Sequence, residues 1–266
     1  MPSIKDKKIR KLRYSEAIRE GIDQAMSENQ DLIIIGEGVP DPKSIFETTK
    51  GLQEKFGKSR VFDMPLSENG VTGICIGAAL NGTPVLMIHQ RIDFSLLAMD
   101  QIINNAAKWH YMFNGQSTVP IVIRVIVGRG WGQGPQHSQN LQALFAHIPG
   151  LKVITPATAK DAKGMMVAAL KDKNPVIFIE HRWLHHIEDS VPEEMYFSEL
   201  DKAQILRQGS DVTIVANSLM TIETMKAAAV LSEIGVNVEV VDLRSIKPID
   251  LDTILKSVSK TKKMIV

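Results

Sequence analysis

An acidic side chain at the start of a helix, behind a proline and a small polar residue, is a group held where it can meet a ligand. The segment Asp63-Met64-Pro65-Leu66-Ser67-Glu68-Asn69-Gly70 has this form. Pro65 favours an extended approach, Ser67 is placed to cap, and Glu68 falls in the first helical turn. An acid at that position also has a plainer use, because it complements the helix dipole. A second carboxyl, Glu37, follows a short apolar run and stands between Gly36 and Gly38, where loops of α/β folds commonly line ligand sites. If Glu37 and Glu68 met in a dry pocket, one would be pushed toward protonation and could exchange a proton with a ligand nitrogen.

The next chemically suggestive stretch is Gly128-Arg129-Gly130-Trp131-Gly132-Gln133-Gly134-Pro135-Gln136-His137-Ser138-Gln139. It lacks the Lys-Ser or Lys-Thr ending of a phosphate-binding P-loop, and Pro135 spoils a dinucleotide-type helix start. Two uses remain open for it: a turn-rich loop delivering His137 to a cavity as an acid-base group, or a loop with an exposed histidine. His181, His185 and His186 sit close together in sequence, but their spacing matches no zinc template, so solvated or hydrogen-bonded rings are expected. Cys75, the single cysteine, lies in a run of small residues and reads as a buried packing group rather than a nucleophile.

The elements that must position these groups alternate. Strands are expected over 32–35, 85–89, 121–127, 152–155 and 176–180, and helices over 14–26, 68–80, 95–112 and 159–171. That alternation predicts an α/β fold with a mainly parallel sheet flanked by helices over residues 1–190. Charged, irregular sequence suggests a linker at 191–208. Beyond it, expected strands at 211–216 and 236–241 around a helix at 219–234 outline a βαβ unit. One such unit followed by the apolar Met264-Ile265-Val266 buries little surface, so residues 209–266 read as an incomplete second domain and the sequence as a fragment of a longer chain.

Composition narrows the function classes. The 266 residues carry 31 basic and 30 acidic side chains, for a formal charge of +1, and 44% are hydrophobic. Near-neutral charge without a basic stripe argues against nucleic acid as a partner. No run approaches the ~20 apolar residues of a membrane span, and a lone cysteine suits a reducing compartment. The expectation is a cytoplasmic protein with no membrane partner.

In order along the chain, Gly36-Glu37, Thr49-Lys50-Gly51-Leu52, Pro65-Leu66-Ser67-Glu68-Asn69-Gly70 and Asp100-Gln101-Ile102-Ile103-Asn104-Asn105-Ala106-Ala107-Lys108 form a recognisable series. Pro120-Ile121-Val122-Ile123-Arg124, His137-Ser138-Gln139, Pro149-Gly150-Leu151-Lys152-Val153 and Arg244-Ser245-Ile246-Lys247-Pro248-Ile249-Asp250 continue it. The sequence resembles the beta subunits of the thiamine-diphosphate-dependent decarboxylase component of pyruvate, branched-chain 2-oxo acid and acetoin dehydrogenases. The likeness covers nearly the whole chain.

The resemblance implies a transketolase-like pyrimidine-binding domain followed by part of a transketolase C-terminal-type domain. It implies oxidative decarboxylation of a 2-oxo acid, with pyruvate the expected substrate, and acyl transfer to a lipoyl group. By this likeness Glu68 is the glutamate that hydrogen-bonds a pyrimidine ring nitrogen, and Glu37 is a second carboxylate nearby. Phe94 is the aromatic against the ring, Leu66 a neighbouring wall, Gln90 a further cofactor contact, and His137 the loop histidine that assists protonation and reductive acylation. An alpha subunit would hold the diphosphate and magnesium, which fits the lack of a Gly-Asp-Gly segment here. A second beta subunit would complete an α2β2 assembly, and a lipoyl acyltransferase would accept the acyl group. A potassium site built on Ile121, Ala169, Asp172 and Asn174 is also implied. The sequence departs from the family at His89-Gln90-Arg91-Ile92-Asp93, where a histidine and an arginine approach the pyrimidine pocket, and at Trp131 and Pro135. Those departures leave open an acetoin-cleaving or transketolase-like enzyme, and a non-catalytic subunit of the same fold.

Overall fold

The run Ile121–Val127 is apolar except for Arg124, and all seven residues are buried, as a strand covered by helices on both faces requires. It forms β5 at the centre of the larger sheet in the computed structural model, which describes residues 9–266. Around it lie β2 (Ile33–Gly36), β3 (Val61–Phe62), β4 (Val85–His89), β6 (Lys152–Ile154), β7 (Val176–His181) and β12 (Ser245–Lys247). The order is β12-β6-β7-β5-β4-β2-β3, and every neighbouring pair is parallel except β12 with β6. Parallel pairing sends the ends of β2, β4, β5 and β7 to one edge, so the loops that follow them can share a site.

Two apolar layers cover the sheet. On one face the helix Tyr14–Glu28 buries Ala17, Ile18, Ile22, Ala25 and Met26 at helical spacing, against the helix Ala159–Lys171. On the other face the helix Glu68–Leu80 packs Val71, Cys75, Ile76 and Ala79. Burial pushes the Cys75 thiol up to about 12, so it stays protonated and serves as packing.

The expected helix at 95–112 is broken into a 3₁₀ stretch Ile92–Ala98, a wide-turned stretch Gln101–Ala106 and a short α-helix Trp109–Met112. The Ser95 hydroxyl donates to the Ile92 carbonyl at 2.5 Å, a local bond that competes with a regular ladder. Close against the same stretch, Gly150 adopts φ +94°, and a Cβ there would lie 1.9 Å from the Ala107 carbonyl oxygen. Gly150→Ala is therefore expected to destabilise the fold by about 1–3 kcal/mol from backbone strain alone, with the clash adding to it. A thermal melt measures this, and an unchanged midpoint would contradict it.

The stretch expected as a linker, 191–208, contains strand at both ends. β8 (Glu188–Pro192) pairs antiparallel with β1 (Ile9–Arg13), and β9 (Gln204–Arg207) pairs antiparallel with β11 (Val238–Asp242). Both are edge strands with few apolar residues, so they carry no hydrophobic alternation to reveal them. β9 belongs to a second sheet of order β13-β10-β11-β9, with β10 at Val212–Ala216 and β13 at Met264–Ile265. β12 leaves this unit for the edge of the larger sheet. The Arg244 guanidinium pairs with Asp161 at 2.7 Å, and the Thr155 amide donates to the Arg244 carbonyl at 2.7 Å. The second unit is thereby joined to the first by backbone and charge.

Candidate active site

Glu37 follows β2 and Gln90 follows β4; the two strands are neighbours, so the residues emerge side by side. The Gln90 amide donates to the Glu37 carbonyl at 3.0 Å. One Asp63 carboxylate oxygen accepts from the amides of Gly38 and Met64, both at 2.9 Å, tying the loop after β2 to the approach of Glu68. Glu68 opens the Glu68–Leu80 helix and is buried, with 9% of its surface exposed. Ser67 does not cap that helix through its side chain, contrary to expectation. Its amide instead closes a turn onto the Pro65 carbonyl at 2.7 Å, with its backbone outside the usual capping region at φ −153°, ψ 61°.

Glu37, Glu68, Gln90 and Phe94 line one narrow cleft, with Met64, Ile88 and His89 as its remaining walls. Leu66 does not join them. Its side chain is 84% exposed, because it lies in the turn that reverses the chain ahead of Glu68. Two polar atoms in the cleft are buried without a hydrogen-bond partner, Glu37 Oε1 and His89 Nε2. Burial, and then the charges of Glu68 and Asp63, raise the Glu37 carboxyl above its ordinary value. Burial alone lowers His89 to about 4, so the ring is neutral near pH 7. A carboxyl raised above its ordinary value, a buried second carboxyl in Glu68, a neutral imidazole and an aromatic face together suit a flat, nitrogen-bearing ring. His89 as a lining group could have been suspected from its place as the polar end of the otherwise apolar strand Val-Leu-Met-Ile-His.

His137 stands half-buried beside this cleft, edge-on to Phe94 at 5.3 Å between ring centroids. Its loop is fastened to the segment after β4. Arg91 hydrogen-bonds the Gln133 side chain through Nε and Nη2, and Asp93 accepts from the Gln139 amide at 3.2 Å. There is no room for a side chain at Gly128, where a Cβ would lie 2.5 Å from the His137 carbonyl and 2.7 Å from Arg91 Nε. The unusual 89–93 segment therefore divides its labour: His89 faces the cleft, while Arg91 and Asp93 clamp the histidine loop.

At Ile121, Ala169, Asp172 and Asn174, the residues expected for a potassium ion, the Asp172 carboxylate already has partners within the chain. Asp172 forms an ion pair with Lys152, its other carboxylate oxygen accepts from the Asn174 amide and side chain at 2.9 and 2.8 Å, and the Ala169 carbonyl accepts from the Asp172 amide at 3.1 Å. The lysine ammonium supplies the charge a cation would bring. His181 and His185 are buried and hydrogen-bonded, while His186 is exposed. No group of three or more metal-ligating side chains occurs among the described residues.

Comparison with known proteins agrees with this fold. Residues 10–186 match the family described as transketolase, pyrimidine binding domain, and residues 201–266 match transketolase, C-terminal domain. The chain is 43% identical to the acetoin:2,6-dichlorophenolindophenol oxidoreductase subunit beta of Cupriavidus necator, over 97% of this chain and 79% of that protein. It is 41% identical to the pyruvate dehydrogenase E1 component subunit beta of Rickettsia felis, over 94% of this chain and 77% of that protein. A solved split-gene transketolase, an inactive beta4 tetramer, superposes with a TM-score of 0.79 at 22% identity, over 95% of this chain and 78% of that one, which speaks for the fold alone. With both family matches and these relatives together, the chain belongs to the transketolase-like pyrimidine-binding family, alongside the dehydrogenase beta subunits.

Proposed function

We propose that this chain is the beta-type half of a thiamine-diphosphate-dependent 2-oxo acid dehydrogenase, in which Glu68, Glu37, Gln90 and Phe94 hold the aminopyrimidine end of the cofactor. The observation that carries the reading is the buried Glu68 carboxyl and the half-buried Glu37 carboxyl around one cleft with unmatched polar atoms, at the start of the Glu68–Leu80 helix. When bound, the cofactor supplies a carbon nucleophile and an electron sink for loss of carbon dioxide from a 2-oxo acid. The Glu68 carboxyl shares a proton with a ring nitrogen, and Phe94 packs on the ring face. His137, positioned by Phe94 and by the Arg91 and Asp93 clamps, moves a proton at its imidazole nitrogen during acyl transfer to a lipoyl group.

In this reading an alpha-type partner holds the diphosphate and magnesium, a second copy of the chain completes an α2β2 assembly, and a lipoyl acyltransferase takes the acyl group. Leu66, exposed in the single chain, lies where a partner would cover it as a wall of the site. The cytoplasm is the matching compartment; no helix among the described residues is long and apolar enough to cross a membrane. Acetoin cleavage is the second reading, favoured by the Cupriavidus necator relative. Assays of the reconstituted pair on pyruvate and on acetoin separate the two, with pyruvate turnover expected to be the faster.

Calorimetric titration of thiamine diphosphate and magnesium checks the split site directly. Binding is expected only when the alpha-type partner is present, and tight binding by this chain alone would overturn the arrangement.

A further inference from the structure

Beyond the ends of β5, β6 and β7, the first residues of the helix Leu219–Glu233 close over a cavity of about 370 Å³ that shares no lining residue with the Glu68 cleft. Its walls include Arg129, Asn140, Thr155, His181 and Ser218, and no Asp or Glu. Thr155 is 1% exposed and its hydroxyl has no hydrogen-bond partner. The Gln142 amide oxygen, also lining the cavity, is likewise buried and unmatched. A native structure rarely leaves such groups unsatisfied unless something else meets them.

Most of the remaining polar groups can donate, and none of them is acidic. Ser218, which makes no capping bond with its side chain, lines the cavity together with Leu219 and Met220, the first residues of a 15-residue helix whose start is its positive end. His181 accepts the Trp183 amide on Nδ1 at 3.2 Å. Burial first, and then Arg129 and His185, bring its ring down to about 4, so near pH 7 its single proton sits on Nε2. Arg129 adds a full charge with a fork of donors matched to two oxygens. Trp183, Leu219 and Met220 provide an apolar wall. Donors with one cationic side chain, no acid, and the unmatched buried amide oxygen of Gln142 describe a site for an oxyanion that also carries a hydroxyl.

We propose that this cavity is a second ligand site, taking a small hydroxylated oxyanion, either a phosphate ester or a carboxylate, whose charged group meets Arg129, Thr155 and the start of the Leu219–Glu233 helix and whose hydroxyl meets Gln142. The site stands apart from the cofactor reading, because none of its residues is used there. Arg129 and Asn140 flank the His137 loop at its two ends, so an occupant holds both ends of that loop at once.

Calorimetric titrations of the chain with glycerol 3-phosphate and with lactate, at low ionic strength, test the assignment. Saturable one-to-one binding of at least one probe is expected, weakened tenfold or more in Arg129→Gln and at least threefold in Thr155→Val. Glu68→Gln should bind the same probe as the unmodified chain does. Arg129 is exposed, so its replacement leaves the fold intact, and a thermal melt of each variant verifies that. Preference for glycerol 3-phosphate assigns a phosphate ester, and preference for lactate a carboxylate. The proposal is overturned if neither probe binds the folded chain saturably, or if Arg129→Gln binds as tightly as the unmodified chain.

Discussion

Glu68→Gln in the chain reconstituted with its alpha-type partner is expected to lower turnover by roughly 10²–10⁴-fold, the usual weight of one positioned acid-base group. Glutamine keeps the size and one acceptor of the side chain but cannot exchange a proton, so cofactor binding should weaken much less than turnover falls. The substitution also removes a negative charge beside Glu37, whose carboxyl is raised by burial, by Glu68 and by Asp63. The Glu37 carboxyl should move back toward its ordinary value, visible as an acid-side shift in the pH profile of residual activity. Turnover within about threefold of the unmodified enzyme would sink the mechanism, given the size of effect this class of group normally has. It would then favour a non-catalytic subunit of the same fold.

The second large effect concerns stability. Arg124 on β5 and Glu180 on β7 form an ion pair in which neither side chain has any solvent exposure. Arg124 also donates to Thr48 Oγ1 at 2.8 Å, and His185 Nε2 lies 3.1 Å from Glu180. Breaking such a pair strands a charge in the core, so Glu180→Gln is expected to cost about 3–5 kcal/mol, lowering the melting midpoint by roughly 10 °C in a chain of this size. Replacing both partners, Arg124→Met with Glu180→Leu, should restore at least half of the loss, because no uncompensated charge remains. A single variant that melts with the unmodified chain would show that water or rearrangement neutralises Arg124.

The same pair sets a pH dependence. Burial pushes the Glu180 carboxyl up, but Arg124 and then His185 outweigh it and hold the group below its ordinary 4.5. A depressed folded-state value means the stabilisation is fully present above about 4.5 and is lost as the pH falls through the depressed value. Acid unfolding should therefore begin below pH 4.5 in the unmodified chain, and that dependence should flatten in the double variant.

Much of the site was readable from local sequence. Glu37 could be placed because an apolar run ending in Gly-Glu-Gly marks a strand running out into a loop, and Glu68 because Pro-Leu-Ser-Glu marks the start of a helix. Their meeting was a conditional inference until β2 and β3, the strands that lead into their loops, were found to be neighbours. Ser67 misled, since its type favours capping while its backbone is committed to the turn on Pro65. At the residues expected for potassium, spacing could not reveal that Lys152, distant in sequence, pairs with the Asp172 carboxylate.

The sequence by itself determined the α/β alternation, five of the seven strands of the larger sheet and the carboxyls beside it, because burial on two faces demands continuous apolar runs and turns demand particular residues. Only the tertiary structure decided that His89 faces the cleft while Arg91 and Asp93 clamp the His137 loop, and that β12 crosses to the edge of the first sheet. It also decided which buried polar atoms find partners. Those outcomes depend on which strand ends lie side by side, and contacts between residues far apart in the chain leave no local pattern in hydrophobicity or spacing.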